Sequence, residues 1–474
     1  MKCIKSTFEY ILNFIIVHLF IGVIWLNNTY GHTTGEEKVF HLLVPLNGVN
    51  SDYYKSYIFT AIIPTVIIAA IIMILIIKSK KKKLWIYIPL TVISLCFAFN
   101  QLDIYKYLYS NIVKSDFIEK NYVNPDEVNI EFDEKKNVVY IILESMENTY
   151  STKEYGGIMK ENLIPKLTAI ANENISFSNT DKSGGSLYLD GSNFTVASML
   201  AQTSGMPLKI NLDLVYKYDF DKFYTGTTLG DILYNNGYDN YIIMGSNSKY
   251  GARNTLHGNH HYTISDVNTA ISKGKMTKDD IVWWGYSDED LFKYAKEELL
   301  EISKNDKPFN YTILTVDTHF ENGYIEKDCK NKFDDQYSNV IHCSDSMIND
   351  FVDWIKAQDF YKDTVIIMVG DHISMDTDFF KNVPKDYERT TYNVFINTDY
   401  QKENIKTKER LFTQLDMLPT TISAIGGKID GDRLGLGTNL FSNEKTLIEK
   451  YKYEKVKNEL GKKSDFYNSF MGVK

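Results

Sequence analysis

The chain has 474 residues, of which 44% are hydrophobic, and its formal net charge is −9 at pH 7. This length can accommodate a membrane part and one large soluble domain. Because proteins that bind nucleic acid in general present basic surfaces, the acidic balance argues against a nucleic-acid partner.

Three apolar segments before residue 100 predict transmembrane helices over residues 10–26, 57–77 and 84–99. A signal peptide would account for the first segment only. The lysine-rich loop at 78–83 and the lysines near the N-terminus indicate the cytoplasmic side. Counting three crossings from there places everything after residue 99 on the outer side of the membrane.

The rest of the chain divides by composition into three parts. Residues 101–136 predict a juxtamembrane helix and linker, residues 137–442 a soluble domain, and residues 443–474 a polar C-terminal tail without a recognisable pattern. In the soluble part, Cys329 and Cys343 would form a disulfide in an oxidising compartment and would be two unrelated thiols otherwise. The predicted topology is compatible with the disulfide.

Strand and helix patterns alternate along the soluble domain. Predicted strands cover 137–144, 175–179, 241–245, 309–316, 364–370 and 394–397, and predicted helices cover 158–172, 195–203, 228–235, 287–304, 337–356 and 411–425. Alternation of this kind is typical of a doubly wound α/β domain with a largely parallel sheet.

Chemically active side chains stand at the ends of these elements. Glu144 ends the first strand, His319 follows the strand at 309–316, and Asp371 and His372 follow the apolar run at 364–370. Ligands of open α/β sheets collect at the carboxyl ends of strands.

A residue with a hydroxyl group completes this group of chemically active side chains. Thr195 follows a Gly- and Ser-rich loop and starts a predicted helix, where its hydroxyl can cap the helix or attack a phosphorus atom. Two carboxylates, an imidazole and a hydroxyl would suit Mn²⁺, Zn²⁺ or Mg²⁺. Spacing alone does not show that these groups converge.

Five ordered motifs within residues 137–442 carry a family resemblance: NVVYIILESMENTY, FTVASMLAQTSGMPL, LTVDTHF, VIIMVGDHIS, and LDMLPTTISAIGG followed by RLGLGTNLF. In this order they resemble the phosphoglycerol transferase I group of the alkaline phosphatase and sulfatase superfamily. Lipoteichoic acid synthases and phosphoethanolamine transferases are more distant relatives of that group. The resemblance implies an alkaline phosphatase/sulfatase-like fold for the soluble domain.

The resemblance also implies roles for individual residues. Glu144, Thr195, Asp371 and His372 would bind one catalytic divalent metal, with Mn²⁺ the first expectation, and Thr195 would be the nucleophile. His319 would contact the head group or the leaving oxygen.

A sixth residue is implied less directly. Arg253, in SKYGARNTLH, is similar to the arginine that lipoteichoic acid synthases use on glycerophosphate, although their neighbouring tryptophan is replaced here by Gly251.

The implied function is a membrane-anchored transferase of a bacterial inner (cell) membrane, multi-pass, with its catalytic domain on the periplasmic or extracellular side. It would move phosphoglycerol from the phospholipid phosphatidylglycerol, through a phosphothreonine intermediate, to an envelope glycan or a lipid-linked (glycolipid) acceptor. Phosphoethanolamine transfer and a sulfatase-like phosphodiesterase or hydrolase are the alternatives.

Two further classes fit less well. A sulfatase needs a C/S-x-P-x-R motif, which occurs neither at the cysteines nor around Thr195. A non-catalytic envelope protein with this fold would be expected to have lost a metal ligand, and all four residues are present.

Overall fold

The computed structural model describes residues 2–30, 33–44, 51–78 and 84–472. By its internal contacts the chain divides into two units, one of Met1–Leu42 with Val49–Val113 and one of Leu43–Gly48 with Lys114–Lys474. Positions 79–83 of the lysine-rich loop lie outside the described residues.

The first unit is helical. Its helices are α1 (Lys2–Tyr30), α2 (Gly35–Leu43), α3 (Ser51–Tyr57), α4 (Ile63–Lys78), α5 (Leu84–Gln101) and α6 (Ile104–Ile112), with a π-helical turn at Ile58–Ile62. Two stretches, Glu9–Thr29 and Tyr54–Lys78, are long and apolar enough to cross a membrane. Within the described part of the chain, a third span is present only if Trp85–Gln101 and Ile104–Ile112, which are bent by 62°, count as one. Length and composition thus agree with the first two predicted spans, whereas the third depends on this bent pair.

The second unit contains a six-stranded sheet in the order β4-β3-β5-β2-β6-β7. All neighbouring strands in this sheet are parallel except β7, which runs antiparallel to β6. The strands of this unit are β1 (Ile130–Phe132), β2 (Asn137–Leu143), β3 (Asp239–Met244), β4 (Tyr262–Ser265), β5 (Phe309–Leu314), β6 (Thr364–Gly370), β7 (Asn393–Ile396), β8 (Gly427–Ile429), β9 (Arg433–Leu434) and β10 (Gly437–Thr438). β1 pairs with β8, and β9 pairs with β10.

Helices cover both faces of this sheet. The helices of this unit are α7 (Phe117–Asn121), α8 (Pro165–Glu173), α9 (Thr195–Ser204), α10 (Leu212–Val215), α11 (Leu229–Asn235), α12 (Arg253–Gly258), α13 (Val267–Ser272), α14 (Asp288–Ile302), α15 (Gln336–Lys356), α16 (Met417–Ala424), α17 (Leu447–Tyr451), α18 (Tyr453–Gly461) and α19 (Asp465–Asn468). On one face Val139 and Ile141 join a core with residues of α8, α14 and α15. On the other face Tyr140 donates a hydrogen bond to Gln202 of α9. The predicted doubly wound α/β fold is therefore confirmed.

Burial on both faces explains the composition of the two central strands. Every residue of β6 is buried, and in β2 all but Asn137 are buried. A parallel strand covered by helices on both sides has no solvent-facing positions, so its sequence is apolar throughout instead of alternating.

Three predicted elements differ from the structure. The helix expected at 158–172 begins only at Pro165, whose fixed φ suits the first helical position. The strand expected at 175–179 is reduced to a single bridge between Ile175 and Phe395. The helix expected at 411–425 begins at Met417, and Pro419 lies in its first turn, where a missing N–H breaks no helical hydrogen bond.

The C-terminal segment contains helices that its sequence pattern did not indicate. Residues 443–474 were expected to be a polar tail without a recognisable pattern, and α17, α18 and α19 form there and bury Leu460 and Tyr467. The Tyr467 hydroxyl donates to the Pro207 carbonyl at 2.8 Å, which ties this segment to the loop after α9. Short amphipathic helices with few apolar residues leave only a weak periodic signal.

Cys329 and Cys343 form a disulfide with their Cα atoms 5.7 Å apart. Cys343 lies in α15, and Cys329 lies in the irregular segment between β5 and α15. The disulfide therefore holds the segment that follows His319 against α15.

Candidate active site

The parallel register of β2 and β6 brings the candidate ligands together. Leu143 pairs with Gly370 in the last position of the ladder, so Glu144 and Asp371 leave the sheet side by side at its carboxyl edge. Glu144, Asp371 and His372 are all buried, and one ligand atom from each lies within 4.8 Å of the others.

Short distances connect these side chains. His372 Nε2 lies 3.3 Å from Asp371 Oδ2 and 3.6 Å from Glu144 Oε1. Thr195 Oγ1 donates to Glu144 Oε2 at 3.3 Å. Thr195 is the first residue of α9 and is partly exposed, whereas the other nine residues of that helix are buried. The structure thus brings together the four residues that the resemblance implied as metal ligands.

The surrounding backbone orients Asp371 and His372. The amides of Ser145 and His372 donate to Asp371 Oδ1 at 2.8 and 2.7 Å, whereas the buried Asp371 Oδ2 has no hydrogen-bond partner among the described residues and faces His372. His372 Nδ1 lies 3.0 Å from the Ile373 carbonyl, so a neutral imidazole donates there and turns its Nε2 lone pair toward the carboxylates.

The electrostatics of this cluster fit a divalent cation. Burial, reinforced by the charge of Glu144, raises the pKa of Asp371 to about 7. Burial also acts to raise the pKa of Glu144, but the charges of His319 and His372 and the Ser145 hydroxyl outweigh it and lower that pKa. Two adjacent buried carboxylates ionise together only if a positive charge compensates them. The orphaned Asp371 oxygen and the mixed oxygen and nitrogen donors match a metal such as Mn²⁺ or Zn²⁺.

His319 and Arg253 lie close enough to interact electrostatically with this cluster. His319 Nδ1 is 2.5 Å from the Phe320 carbonyl, and burial lowers the pKa of its imidazole. Arg253 begins α12 and donates to the carbonyls of Tyr250 and Asn247, both at 2.9 Å. Burial lowers the pKa of Arg253 to about 10, while the charge of Glu144 acts in the opposite direction.

Sequence reasoning missed the side chains that hold the ligand loops. Glu147, three residues after Glu144, accepts hydrogen bonds from the Ser374 amide at 2.9 Å, the Thr149 hydroxyl at 2.6 Å and the Arg389 guanidinium. The ion pair of the buried Glu147 with the partly buried Arg389 joins the loop after β2 to the loop after β6. The second acidic residue in ESMENTY was a usable signal for Glu147, but nothing in the sequence singled out Arg389.

Three neutral side chains add to this support. The Glu144 amide donates to Thr315 Oγ1 at 2.9 Å, and Thr318 Oγ1 donates to the Glu144 carbonyl at 2.5 Å. Gln414 Nε2 donates to the carbonyls of Gly370 and Asp371, both at 2.9 Å. Hydrogen bonds of this kind keep ligand side chains in position before anything binds.

Comparison with known proteins agrees with this architecture. The family model "Sulfatase" matches residues 136–427. The chain is 31% identical over 323 residues to phosphoglycerol transferase I from Escherichia coli O127:H6 (strain E2348/69 / EPEC), an alignment that covers 66% of this chain. It spans only 40% of the length of that relative.

Two solved structures are similar in fold. A protein in the alkaline phosphatase superfamily from Vibrio parahaemolyticus has a TM-score of 0.50 at 23% identity, covering 66% of this chain and 74% of that chain. The integral membrane protein lipooligosaccharide phosphoethanolamine transferase A from Neisseria meningitidis has a TM-score of 0.50 at 14% identity, covering 88% and 84%. The family model covers more than half of the chain, and the carboxyl-edge cluster lies within the matched region. The chain therefore belongs to the sulfatase family, with an alkaline phosphatase-like fold.

Proposed function

We propose that this protein is a membrane-anchored, metal-dependent phosphotransferase that moves phosphoglycerol from phosphatidylglycerol to an envelope glycan or a lipid-linked acceptor. The observation that carries the proposal is the Thr195 hydroxyl, which lies at the start of α9 and 3.3 Å from Glu144 in the buried cluster. The similarity to a phosphoglycerol transferase I supports the choice of transferred group.

Glu144, Thr195, Asp371 and His372 would hold a divalent metal, for which we expect Mn²⁺. When bound, it would polarise a phosphoryl oxygen and lower the pKa of a hydroxyl. Mg²⁺ and Zn²⁺ are the alternatives.

In the first step Thr195 Oγ1 attacks phosphorus, and the bond from phosphorus to the diacylglycerol oxygen breaks. Glu144 Oε2 accepts the hydrogen bond of the attacking hydroxyl, orients it and takes its proton as the new bond to phosphorus forms. His319 supplies a proton to the departing oxygen. Burial disfavours the protonated imidazole, but the negative charges of Glu144 and of the bound phosphodiester favour it. The products of this step are diacylglycerol and a phosphothreonine ester that still carries the glycerol.

In the second step a hydroxyl of the acceptor attacks the same phosphorus, and the bond to Thr195 Oγ1 breaks as Glu144 returns a proton to that oxygen. His319, now neutral, takes the proton of the attacking hydroxyl. The N-terminal amides of α9 and the charge of Arg253 complement the phosphoryl oxygens in both steps.

The proposed location follows from the donor. A phospholipid lies in the membrane, and the first unit contains two helices able to cross it. We place the protein in a bacterial inner (cell) membrane as a multi-pass protein with the second unit on the outer side. The Cys329–Cys343 disulfide supports that side, because disulfides persist in oxidising compartments.

Intact-mass analysis of the full chain in detergent tests the proposal. Wild type, Thr195→Ser and Thr195→Ala are incubated with phosphatidylglycerol and Mn²⁺, and diacylglycerol release is followed in parallel. Wild type and Thr195→Ser should gain a glycerophosphate adduct, and Thr195→Ala should gain none. Diacylglycerol release that survives in Thr195→Ala would refute the nucleophile. An adduct formed only with phosphatidylethanolamine would instead support phosphoethanolamine transfer.

A further inference from the structure

A tight turn beside the site carries two tryptophans, and the first of them has a backbone conformation that bulky residues rarely adopt. Val282 and Gly285 exchange backbone hydrogen bonds of 2.7 and 2.8 Å, so Trp283 and Trp284 occupy the two central positions of a two-residue turn. Trp283 has a φ of +47°. Such positions favour glycine and asparagine, and a bulky residue with positive φ is an outlier of the kind that clusters at functional sites.

The turn is fastened to the carboxyl edge of the sheet. Gly285 forms a bridge with Ser246, just after β3, and the Tyr286 amide donates to the Gly245 carbonyl at 3.1 Å. A Cβ atom on Gly285 would lie 1.9 Å from the Gly245 oxygen, so the close approach requires glycine. This is the edge at which Glu144 and Asp371 leave the sheet.

A pair of buried carboxyl groups joins the turn to the loop that carries His319. Asp288, three residues after Gly285, accepts hydrogen bonds from the amides of Val316 and Asp317 at 2.8 and 3.1 Å. Asp317 Oδ1 accepts in return from the Asp288 amide at 3.2 Å. The tryptophan turn and the His319 loop are therefore held in a fixed relative position.

Aromatic rings consequently surround the His319 imidazole. The ring centroid of Trp283 lies 5.8 Å from that of His319 and 6.4 Å from that of Tyr324, to which it is nearly parallel at 21°. Trp284 packs against His319 at 5.2 Å. Trp284 is buried, whereas Trp283 and Tyr324 are partly exposed and form an aromatic surface beside the imidazole.

We propose that Trp283 and Tyr324 bind a pyranose ring of the acceptor and present one of its hydroxyls to His319. This inference rests on the proposed function and assigns its acceptor site. A pyranose has an apolar C–H face that packs on an aromatic ring and a rim of hydroxyls that need polar partners. His319 and Arg253 supply such polar groups nearby. Glycerol alone is too small to cover an indole, and acyl chains need an extended aliphatic groove.

The test compares two acceptors with one donor. The full chain in detergent, with phosphatidylglycerol and Mn²⁺, is assayed for transfer to methyl β-D-glucopyranoside and to glycerol. In wild type we expect the glucoside to have the higher kcat/KM. Trp283→Ala should reduce the ratio of the two kcat/KM values about tenfold, the size of a lost aromatic stacking contact. Trp283→Phe should keep most of the preference, and Tyr216→Ala, at a tyrosine that is 93% exposed, should leave the ratio unchanged.

A binding experiment separates this inference from the proposed function. Saturation-transfer NMR with methyl β-D-glucopyranoside is recorded on Thr195→Ala and on Thr195→Ala/Trp283→Ala, neither of which needs to cleave lipid. A sugar signal that the second variant loses supports the acceptor site, even if wild type releases no diacylglycerol and the proposed function fails. No sugar signal in Thr195→Ala, or an equal loss of kcat/KM for both acceptors in Trp283→Ala, overturns it.

Discussion

Replacing Arg389 by leucine removes one half of the ion pair that joins the two ligand-bearing loops. The Glu147 side chain is 0% exposed and that of Arg389 is 19% exposed. Without Arg389, the donors that the Glu147 carboxylate keeps in the described structure are the neutral Ser374 amide and Thr149 hydroxyl. Breaking a buried ion pair costs about 3–5 kcal/mol of unfolding free energy. Because water reaches part of the Arg389 side chain, we expect the lower end, about 3 kcal/mol.

The assay is denaturant unfolding of the full chain in detergent for Arg389→Leu, Glu147→Gln and the double variant. The double variant should lose less stability than the sum of the single variants, because it leaves no unpaired charge. Mn²⁺ affinity should also fall about 10- to 100-fold in Arg389→Leu, since the loops that carry Glu144 and Asp371 lose their common support. A loss below about 1 kcal/mol, or strictly additive losses, would refute the reasoning.

Three further outcomes are expected. Burial raises the pKa of Asp345 to about 6, so the folded chain holds a proton there that the unfolded chain releases near its usual pKa of 3.8, and the unfolding free energy should fall as pH rises between these values. In Asp345→Asn the unfolding free energy should change less with pH over this range than in wild type, and an unchanged slope would contradict the raised pKa of Asp345. Replacing Cys329 and Cys343 by serine opens a loop with a sequence separation of 14 and should cost about 3 kcal/mol, measured as a lower Tm under non-reducing conditions; an unchanged Tm would contradict it. Mn²⁺ at about 100 times its Kd should stabilise wild type by about 2.7 kcal/mol and Asp371→Asn by much less. Equal shifts in a thermal scan would place the metal elsewhere.

Local sequence patterns were sufficient to predict a strand or a helix where a short stretch of chain already shows which residues are buried. The runs at 138–143 and 365–370 are apolar throughout, and both lie in buried strands of a largely parallel sheet, as predicted. Thr195 was expected to start a helix, and it is the first residue of α9. Patterns failed where the signal was weak, as in the short helices after residue 443.

The residues that support the site illustrate what local patterns do not contain. Glu147 and Arg389 are 242 residues apart, and no property of either neighbourhood indicates that they meet. The Trp283–Trp284 turn contradicts the usual preferences of its backbone conformation, so propensity would have assigned it a different shape.

The sequence by itself determined the fold class, the apolar segments and the identities of the side chains at the strand ends, because hydrophobic periodicity and turn residues act over a few positions. Only the tertiary structure decided that β2 lies between β5 and β6, and that Glu144, Thr195, Asp371 and His372 converge. Strand order and register depend on how helices pack on both faces of the whole sheet, and that packing is a property of contacts between distant parts of the chain.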